Sequence, residues 1–183
     1  IVVSGANDKI DAKKAASSLL EIGDLNVLIG QFEIPISVTQ EVFSVAKNND
    51  ITTILNPAPA KIPSDELLQL TDWFVPNEVE FSTITGMDAY NDENLISYAN
   101  TISSNLIVTL GENGAALVSQ NSVVKISAPH VTAIDTTGAG DAFVGAFAFG
   151  IASGKSPEES ISLGIKKASD SVTRTGTQSS YKA

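Results

Sequence analysis

Apolar runs alternate with segments of helical periodicity along most of the chain. The run Val27–Gly30 is wholly apolar, as is typical of a strand buried on both faces of a parallel sheet. The same pattern predicts further strands over Ile1–Ser4, Ile51–Leu55, Trp73–Val75, Leu106–Leu110, Ala115–Ser119, Val123–Ile126 and Val131–Ile134. Apolar spacing of three to four residues predicts helices over Asp11–Ile22, Ser37–Asn48, Ser64–Leu70, Glu78–Thr85, Asn91–Ser104, Gly140–Ala152 and Pro157–Val172.

Strands that alternate with helices through short turns predict right-handed βαβ units. We therefore expect an α/β fold, a three-layer α/β/α sandwich with a mostly parallel sheet. A length of 183 residues fits one domain, residues 1–183, with a substantial core.

The composition excludes several classes of protein. The chain has no cysteine, so disulfides and thiolate metal sites are excluded and a reducing compartment is allowed. A formal net charge of −10 argues against nucleic-acid and anionic-membrane partners. No apolar run approaches the roughly 20 residues that span a bilayer, and no secretory signal is present. We expect a cytoplasmic protein with small-molecule partners.

Polar and glycine-rich segments follow the predicted strands. In an open α/β sheet, ligands bind beyond the carboxyl ends of the strands, where such loops meet. Five segments are therefore expected to converge on one edge of the sheet: Gly30–Glu33, Asn56–Pro59, Pro76–Glu80, Thr109–Gly114 and Asp135–Asp141.

The segment Asp135–Asp141 places a glycine-rich turn before a long apolar helix. Backbone N–H groups at such a helix start bind anions, and glycine lets the backbone approach a ligand closely. Because a carboxylate repels phosphate, Asp141 suits a general base that takes a proton from a hydroxyl. The alternative is an ordinary helix start, in which Asp141 caps the helix or complements its dipole.

The whole string D-T-T-G-A-G-D resembles the D-T-x-G-A-G-D signature of the ribokinase-like (PfkB) sugar kinases. The resemblance implies that Asp141 is the catalytic base and also contacts the sugar. It also implies that the amides of Gly138, Ala139 and Gly140 form the anion hole for phosphoryl transfer from ATP.

Other loops carry further family motifs. Gln31–Pro35 resembles Q-x-E-x-P, which implies a sugar contact for Glu33, and Asn56–Ala60 resembles the N-P-A-P segment of ribokinases. Asn77 and Glu80 match N-x-x-E, which implies that Asn77 lies at the nucleotide and that Glu80 organises Mg²⁺ through water. The alternative for that pair is a helix capping box.

The turn T-L-G-E-N-G resembles the T-L-G-x-x-G turn that borders the nucleotide in this family, although a simple hairpin turn is an equal alternative. The resemblance gives nucleotide-binding roles to Thr109, Gly111 and Gly114, together with Gly140. One departure is Ile165, which occupies a position near the adenine where the family usually has Asn or His.

Two segments resemble the two halves of the family's monovalent-cation site, normally a potassium site. The segment V-T-R-T-G-T-Q-S-S, residues 172–180, resembles V-T-R-x-G-A-Q-x-S, and its alternative is a surface loop. The implied cation ligands are Asp135, Thr137, Ser171, Arg174, Gly176 and Ser180.

Taken together, the motifs imply phosphorylation of ribose by ATP with Mg²⁺ and K⁺, in a parent protein that is a homodimer. Apart from the strand predicted at Ile1–Ser4 and the G-A-N turn that follows it, the family's early strands, lid and G-G-K-x-x-N sugar turn have no counterpart in these residues. We therefore expect a C-terminal portion of such a kinase. Two alternatives stay open: another PfkB sugar or nucleoside kinase, or a nucleotide-binding module without turnover.

Overall fold

The computed structural model describes residues 4–181, whose strands form one six-stranded sheet. The strands lie side by side in chain order. The first four are parallel, and the last two add an antiparallel hairpin. Their bounds are Val27–Gly30 (β1), Thr52–Leu55 (β2), Trp73–Phe74 (β3), Asn105–Thr109 (β4), Ala115–Val118 (β5) and Val123–Ile126 (β6).

Seven α-helices connect or follow these strands in the described residues: Ala12–Leu20 (α1), Ile36–Lys47 (α2), Asp65–Gln69 (α3), Glu78–Thr85 (α4), Asp92–Ala99 (α5), Ala139–Ala152 (α6) and Pro157–Ser171 (α7). Short 3-10 helices cover Gly5–Lys9, Gly111–Asn113 and Gln178–Ser180.

Neighbouring residues of each central strand point to opposite faces of the sheet and build two separate cores. Leu55, Phe74 and Leu106 pack with residues of α2, α3, α4 and α5 on one face. Ile54 and Ile107 pack with α6 and α7 on the other. The alternation follows from the two-residue period of a strand. It confirms the predicted three-layer α/β/α arrangement.

Two glycines let α6 and α7 approach each other closely. A Cβ on Gly150 would lie 2.6 Å from Ser160 Oγ, and one on Gly164 would lie 2.8 Å from a ring carbon of Phe143. Interiors packed at crystal density leave no room for such an atom. The two helices therefore form one tightly packed layer behind the sheet.

Some predicted bounds are wrong. The helix predicted over Asn91–Ser104 ends at Ala99. Beyond it the Asn100 side chain donates to Gln120 O at 3.1 Å, and Thr101 Oγ1 donates to Tyr98 O at 2.7 Å. Short polar side chains that bond backbone groups compete with helix continuation.

The strand predicted over Val131–Ile134 does not form. The N–H groups of Ile134 and Asp135 instead donate to Val172 O, just past the end of α7, at 2.7 and 3.2 Å. Of the strand predicted over Ile1–Ser4, residues 1–3 lie outside the described part, and Ser4 precedes the first 3-10 helix.

The carboxyl ends of the parallel strands meet at one edge of the sheet, as predicted. Asn56 N donates to Gly30 O at 3.0 Å, which joins the ends of β2 and β1. Thr109 N donates to Pro76 O at 3.0 Å, which joins the end of β4 to the segment after β3. Across residues 4–181, no helix has both the length and the apolar character that crossing a membrane requires.

Candidate active site

The glycine-rich turn leads directly into α6. Gly138 precedes the helix with φ of +80°, and a Cβ there would lie 2.5 Å from the Tyr181 hydroxyl oxygen. No side chain caps this helix. Within residues 4–181, the N–H groups of Gly140 and Asp141 donate to no acceptor. Two free amides therefore lie at the positive end of the helix dipole, as an anion site requires.

A cavity of about 200 Å³ lies between this turn and the sheet. Its walls include Gly138, Gly140 and Asp141 on the α6 side, and Asn77 and Glu80 on the other. The structure thus brings together residues that the sequence placed in two separate motifs.

Asn77 and Glu80 form a complete capping box at the start of α4. Asn77 Oδ1 accepts from Glu80 N at 2.7 Å, and Glu80 Oε2 accepts from Asn77 N at 2.9 Å. Glu80 is only 8% exposed, and this burial raises the pKa of its carboxyl group. The hydrogen bond from Asn77 N opposes that rise. Within the described residues, Glu80 Oε1 has no hydrogen-bond partner. One carboxylate oxygen thus caps the helix and the other stays available.

A larger cavity of about 440 Å³ adjoins the first and shares Asn77, Thr109 and Gly140 with it. Many of the residues that line it are apolar or small, which suits contact with the flat face of a nucleobase. They include Ala128, Pro129, Val131, Ala133, Phe143, Ile165, Ala168 and Val172.

The turn after β4 forms the rim of the larger cavity. Gly111 and Gly114 both have positive φ, +55° and +96°. A Cβ on Gly114 would lie 2.0 Å from Ile126 O, so no other residue fits this backbone. The predicted hairpin turn is present, since β4 and β5 pair on either side of it, and it also lines the cavity.

Asp141 accepts a hydrogen bond from a side chain that the sequence did not single out. Gln31 Nε2 donates to Asp141 Oδ1 at 3.0 Å and to Asn56 Oδ1 at 2.8 Å. Gln31 belongs to the Q-x-E-x-P motif, yet the resemblance gave a role only to Glu33. Glu33 is exposed and lines neither cavity.

The carboxylate of Asp135 joins the two segments that were predicted to form a cation site. Asp135 Oδ1 accepts from Thr137 N and Oδ2 from Gly176 N, each at 3.0 Å. Hydrogen bonds from the Thr137 side chain and backbone, and then from Gly176 N, lower the pKa of Asp135. This carboxylate therefore stays negative, with the hard oxygen donors that a monovalent cation prefers.

The remaining predicted cation ligands lie at the end of α7 and in the C-terminal loop that follows it. Ser180 is fully buried, and its hydroxyl donates to Thr177 O at 2.6 Å. Arg174 donates to Ser180 O at 2.7 Å and pairs with the Asp170 carboxylate. Ser171 O accepts from Arg174 N at 3.2 Å. These bonds order the loop, so it is not a loose surface segment.

Two further residues at the site went unassigned at the sequence level. Tyr181 Oη donates to Gly138 O at 2.8 Å, which closes the C-terminal loop onto the glycine turn. His130 is exposed and lines the larger cavity. In the described part of the chain, no three His, Asp or Glu side chains are grouped as a protein-only metal site.

Comparison with known proteins gives this geometry a family. A family model described as pfkB family carbohydrate kinase matches residues 1–183. The chain is 35% identical over 184 residues to a ribokinase of Haemophilus influenzae, covering 98% of the chain and 60% of the relative. It is 32% identical over 186 residues to a deoxyribokinase of Salmonella typhi, covering 99% and 61%.

A solved structure shows the same fold. The ribokinase of Arabidopsis thaliana, complexed with ribose and ATP, superimposes with a TM-score of 0.87 at 30% identity. The match covers 99% of this chain and 61% of that one. The chain thus spans about 60% of the length of the relatives that it matches. On the family match and these identities, the chain belongs to the pfkB family of carbohydrate kinases.

Proposed function

We propose that the protein transfers the γ-phosphoryl group of ATP to a hydroxyl of ribose. The observation that carries the proposal is the shared boundary of the two cavities. Asp141 and the free amides of Gly140 and Asp141 border the smaller cavity, and the larger cavity opens beside them across Gly140. A nucleotide whose base occupies the larger cavity would direct its phosphates toward these amides.

In this proposal Asp141 takes the proton of the attacking hydroxyl. The carboxylate is exposed at the first turn of α6, where an acceptor could approach it. The amides of Gly140 and Asp141, with the Gly138 and Ala139 backbone that shapes the turn, stabilise the negative charge of the transferring group. Phosphoryl transfer depends mainly on positioning and on such electrostatic stabilisation.

The residues present also fit the two cations that the family implies. We propose that Glu80 Oε1 holds Mg²⁺ through water, since it is a free carboxylate oxygen beside the cavity that would take the phosphates. Bound magnesium supplies neutralisation of the phosphate charge. For a monovalent cation such as K⁺, the proposed ligands are the oxygens of Asp135, Thr137, Ser171, Arg174, Gly176 and Ser180.

The proposed nucleotide contacts are Asn77, Thr109, Gly111, Gly114 and Gly140, all of which line the larger cavity. Glu33 is proposed as a sugar contact, although it lies outside both cavities. Ribose is favoured over deoxyribose because Gln31–Pro35 and Asn56–Ala60 resemble the Q-x-E-x-P and N-P-A-P segments of ribokinases. The proposed setting is the cytoplasm of the cell, in a homodimer.

The test is sugar-dependent ADP formation by the complete natural protein, expressed from its own gene. With ribose we expect turnover that Asp141→Asn lowers about 10²- to 10⁴-fold, the usual range for loss of a general base. Calorimetry should show that this variant still binds MgADP. Asp24→Asn is the matched control, because Asp24 is exposed and Asn also tolerates its φ of +56°.

Turnover that survives Asp141→Asn would show that Asp141 is not the base. A kcat/KM for 2-deoxyribose above that for ribose would reassign the substrate. MgADP binding without turnover on any sugar would leave a nucleotide-binding module.

A further inference from the structure

Asp141 does not stand alone at the start of α6. Among the described residues, Gln31 is the only side chain that donates a hydrogen bond to its carboxylate. The two residues lie 110 positions apart, and Gln31 directly follows β1 on the sheet. The contact thus crosses from the edge of the sheet to the helix that carries the proposed base.

The surrounding bonds fix which way the Gln31 amide faces. Val75 O can only accept, and it takes a hydrogen bond from Asn56 Nδ2 at 2.9 Å. The Asn56 side chain must therefore present Oδ1 to Gln31, and Gln31 must present its NH₂ group. The two hydrogens of Nε2 then serve Asn56 Oδ1 and Asp141 Oδ1. Reversing either amide would place like atoms together.

The chain of bonds is also rigidly held. Asn56 is 8% exposed, and its backbone N–H donates to Gly30 O at 3.0 Å. Gln31 O accepts from the hydroxyl of the fully buried Thr39 at 3.2 Å. Both ends of the Gln31 residue are therefore fixed to the frame of the sheet, and a donor fixed in this way can orient a mobile carboxylate.

We infer that Gln31 is a positioning residue for Asp141, which holds Oδ1 so that Oδ2 faces the attacking hydroxyl. This inference rests on the proposed function. It assigns a task in phosphoryl transfer to the first residue of the Q-x-E-x-P turn, with Asn56 as its support. The other ionisable groups near Asp141 are Glu80 across the smaller cavity and the Tyr181 hydroxyl, whose pKa is raised first by burial and then by Asp141. Neither donates to the carboxylate.

The test is Gln31→Met in the complete natural protein. Methionine nearly matches glutamine in length and volume, so packing is kept while both hydrogen bonds are lost. We expect kcat to fall about 10- to 100-fold, the scale for a reacting group misplaced by roughly 1 Å. The KM for ATP and the dissociation constant of MgADP should stay within about twofold of the wild-type values, because the lost interaction acts on the reacting group and not on nucleotide binding. The melting temperature should stay within a few degrees, because packing is kept.

Gln31→Glu sharpens the result, because it places a carboxylate against Asp141 and should lower kcat at least as far. Gln120→Met and Gln120→Glu are the matched controls. Gln120 is exposed in the turn between β5 and β6, and within residues 4–181 its side chain makes no hydrogen bond, while its backbone carbonyl accepts one from Asn100. Unchanged kcat in Gln31→Met would overturn the inference. A fall in kcat that is accompanied by a comparable loss of MgADP affinity and by a lower melting temperature would also overturn it, because that combination marks a structural role.

A crystal structure of Gln31→Met separates this inference from the proposed function. If the wild type phosphorylates no sugar, the proposed function fails. The position of the Asp141 carboxylate in the variant then still decides whether Gln31 orients it. A carboxylate that stays in its wild-type rotamer overturns the inference whatever the activity.

Discussion

Glu80 shows how one side chain can serve the fold and the site together. Its Oε2 completes the capping box of α4, and the residue also lines the smaller cavity. The capping box and the motif N-x-x-E were alternatives at the sequence level. The geometry shows that the capping box is real and leaves an oxygen free for the proposed magnesium role.

The raised pKa of Glu80 makes a prediction about stability. A carboxyl whose pKa is higher in the folded state stabilises the fold below its unfolded value, about 4.5. It loses that contribution as pH rises through the folded pKa. Relative to the wild type, Glu80→Gln should therefore gain unfolding free energy as pH rises from about 4.5 to 7, because glutamine can keep the cap without a buried charge.

Urea denaturation of the ligand-free protein across this pH range measures the difference. Glu41→Gln is the control, since Glu41 is an exposed residue in the middle of α2. In a separate measurement, Glu80→Gln should bind ADP more weakly than the wild type when magnesium is present. A stability difference between Glu80→Gln and the wild type that stays constant from about pH 4.5 to 7, or that shifts in favour of the wild type, would contradict the prediction.

At the residue scale, the sequence predicted residues that belong to short motifs better than it predicted contacts between distant residues. The positions of Asp141 and of the pair Asn77 and Glu80 follow from short motifs, and the structure brings them to one cavity. The role inferred for Gln31 depends on residues 25 and 110 positions away. No spacing rule in a single sequence links such distant residues, so this contact needed the fold.

Among the elements, the C-terminal loop and the glycine turn act as a pair. The Asp135 carboxylate accepts hydrogen bonds from Thr137 N in the glycine turn and from Gly176 N in the C-terminal loop. The Tyr181 hydroxyl adds a hydrogen bond to Gly138 O. A cation held between the two segments would draw their oxygens together. It would thereby order the amides that are proposed to receive phosphate.

We therefore expect MgADP to bind the complete natural protein more tightly in potassium than in tetramethylammonium, by about 1 kcal/mol or more, a typical coupling free energy between two sites. Asp135→Asn should remove that difference, because the anionic oxygen is lost, whereas Asp24→Asn should preserve it. Isothermal titration calorimetry measures both. Equal affinities in the two salts for the wild type would count against a monovalent-cation site.

The strand that was predicted wrongly failed for a tertiary reason. Val131–Ile134 carries β-branched residues but pairs with no strand of the described sheet, and the N–H groups of Ile134 and Asp135 bond Val172 O at the end of α7 instead. Strand propensity counts only where a neighbouring strand exists. The central strands and the long helices α6 and α7 were predictable from their apolar patterns. The prediction that Val27–Gly30 is buried on both faces is wrong, because β1 lies at the edge of the described sheet and its Ile29 is exposed.

At the scale of the whole molecule, the net charge of the chain is negative, like that of the proposed nucleotide ligand. The chain carries a formal net charge of −10, and Glu78 and Glu112 line the larger cavity. Among the described residues that line the two cavities, there is no lysine or arginine. Under the proposed function, a nucleotide would therefore approach against the field of the protein, and its binding would depend on local amides.

This sign predicts an unusual salt dependence. Raising the ionic strength from about 20 to 150 mM should increase the association rate constant of metal-free ADP by roughly two- to fivefold, because salt screens the repulsion. Stopped-flow fluorescence with a labelled nucleotide measures the rate. The increase should shrink for MgADP, which carries less charge. A rate that falls with salt would reveal an attractive field at the site.

The Tyr181–Gly138 hydrogen bond closes a ring of chain that runs through α6 and α7 and returns to its start 43 residues later. Gly150 and Gly164 hold the two helices too close for either to slide. One residue inserted into α6 would turn all that follows by about 100°, and the ring would no longer close. Homologues should therefore keep a constant number of residues between these two ends, and place their insertions and deletions elsewhere, as in the turn at Gln120.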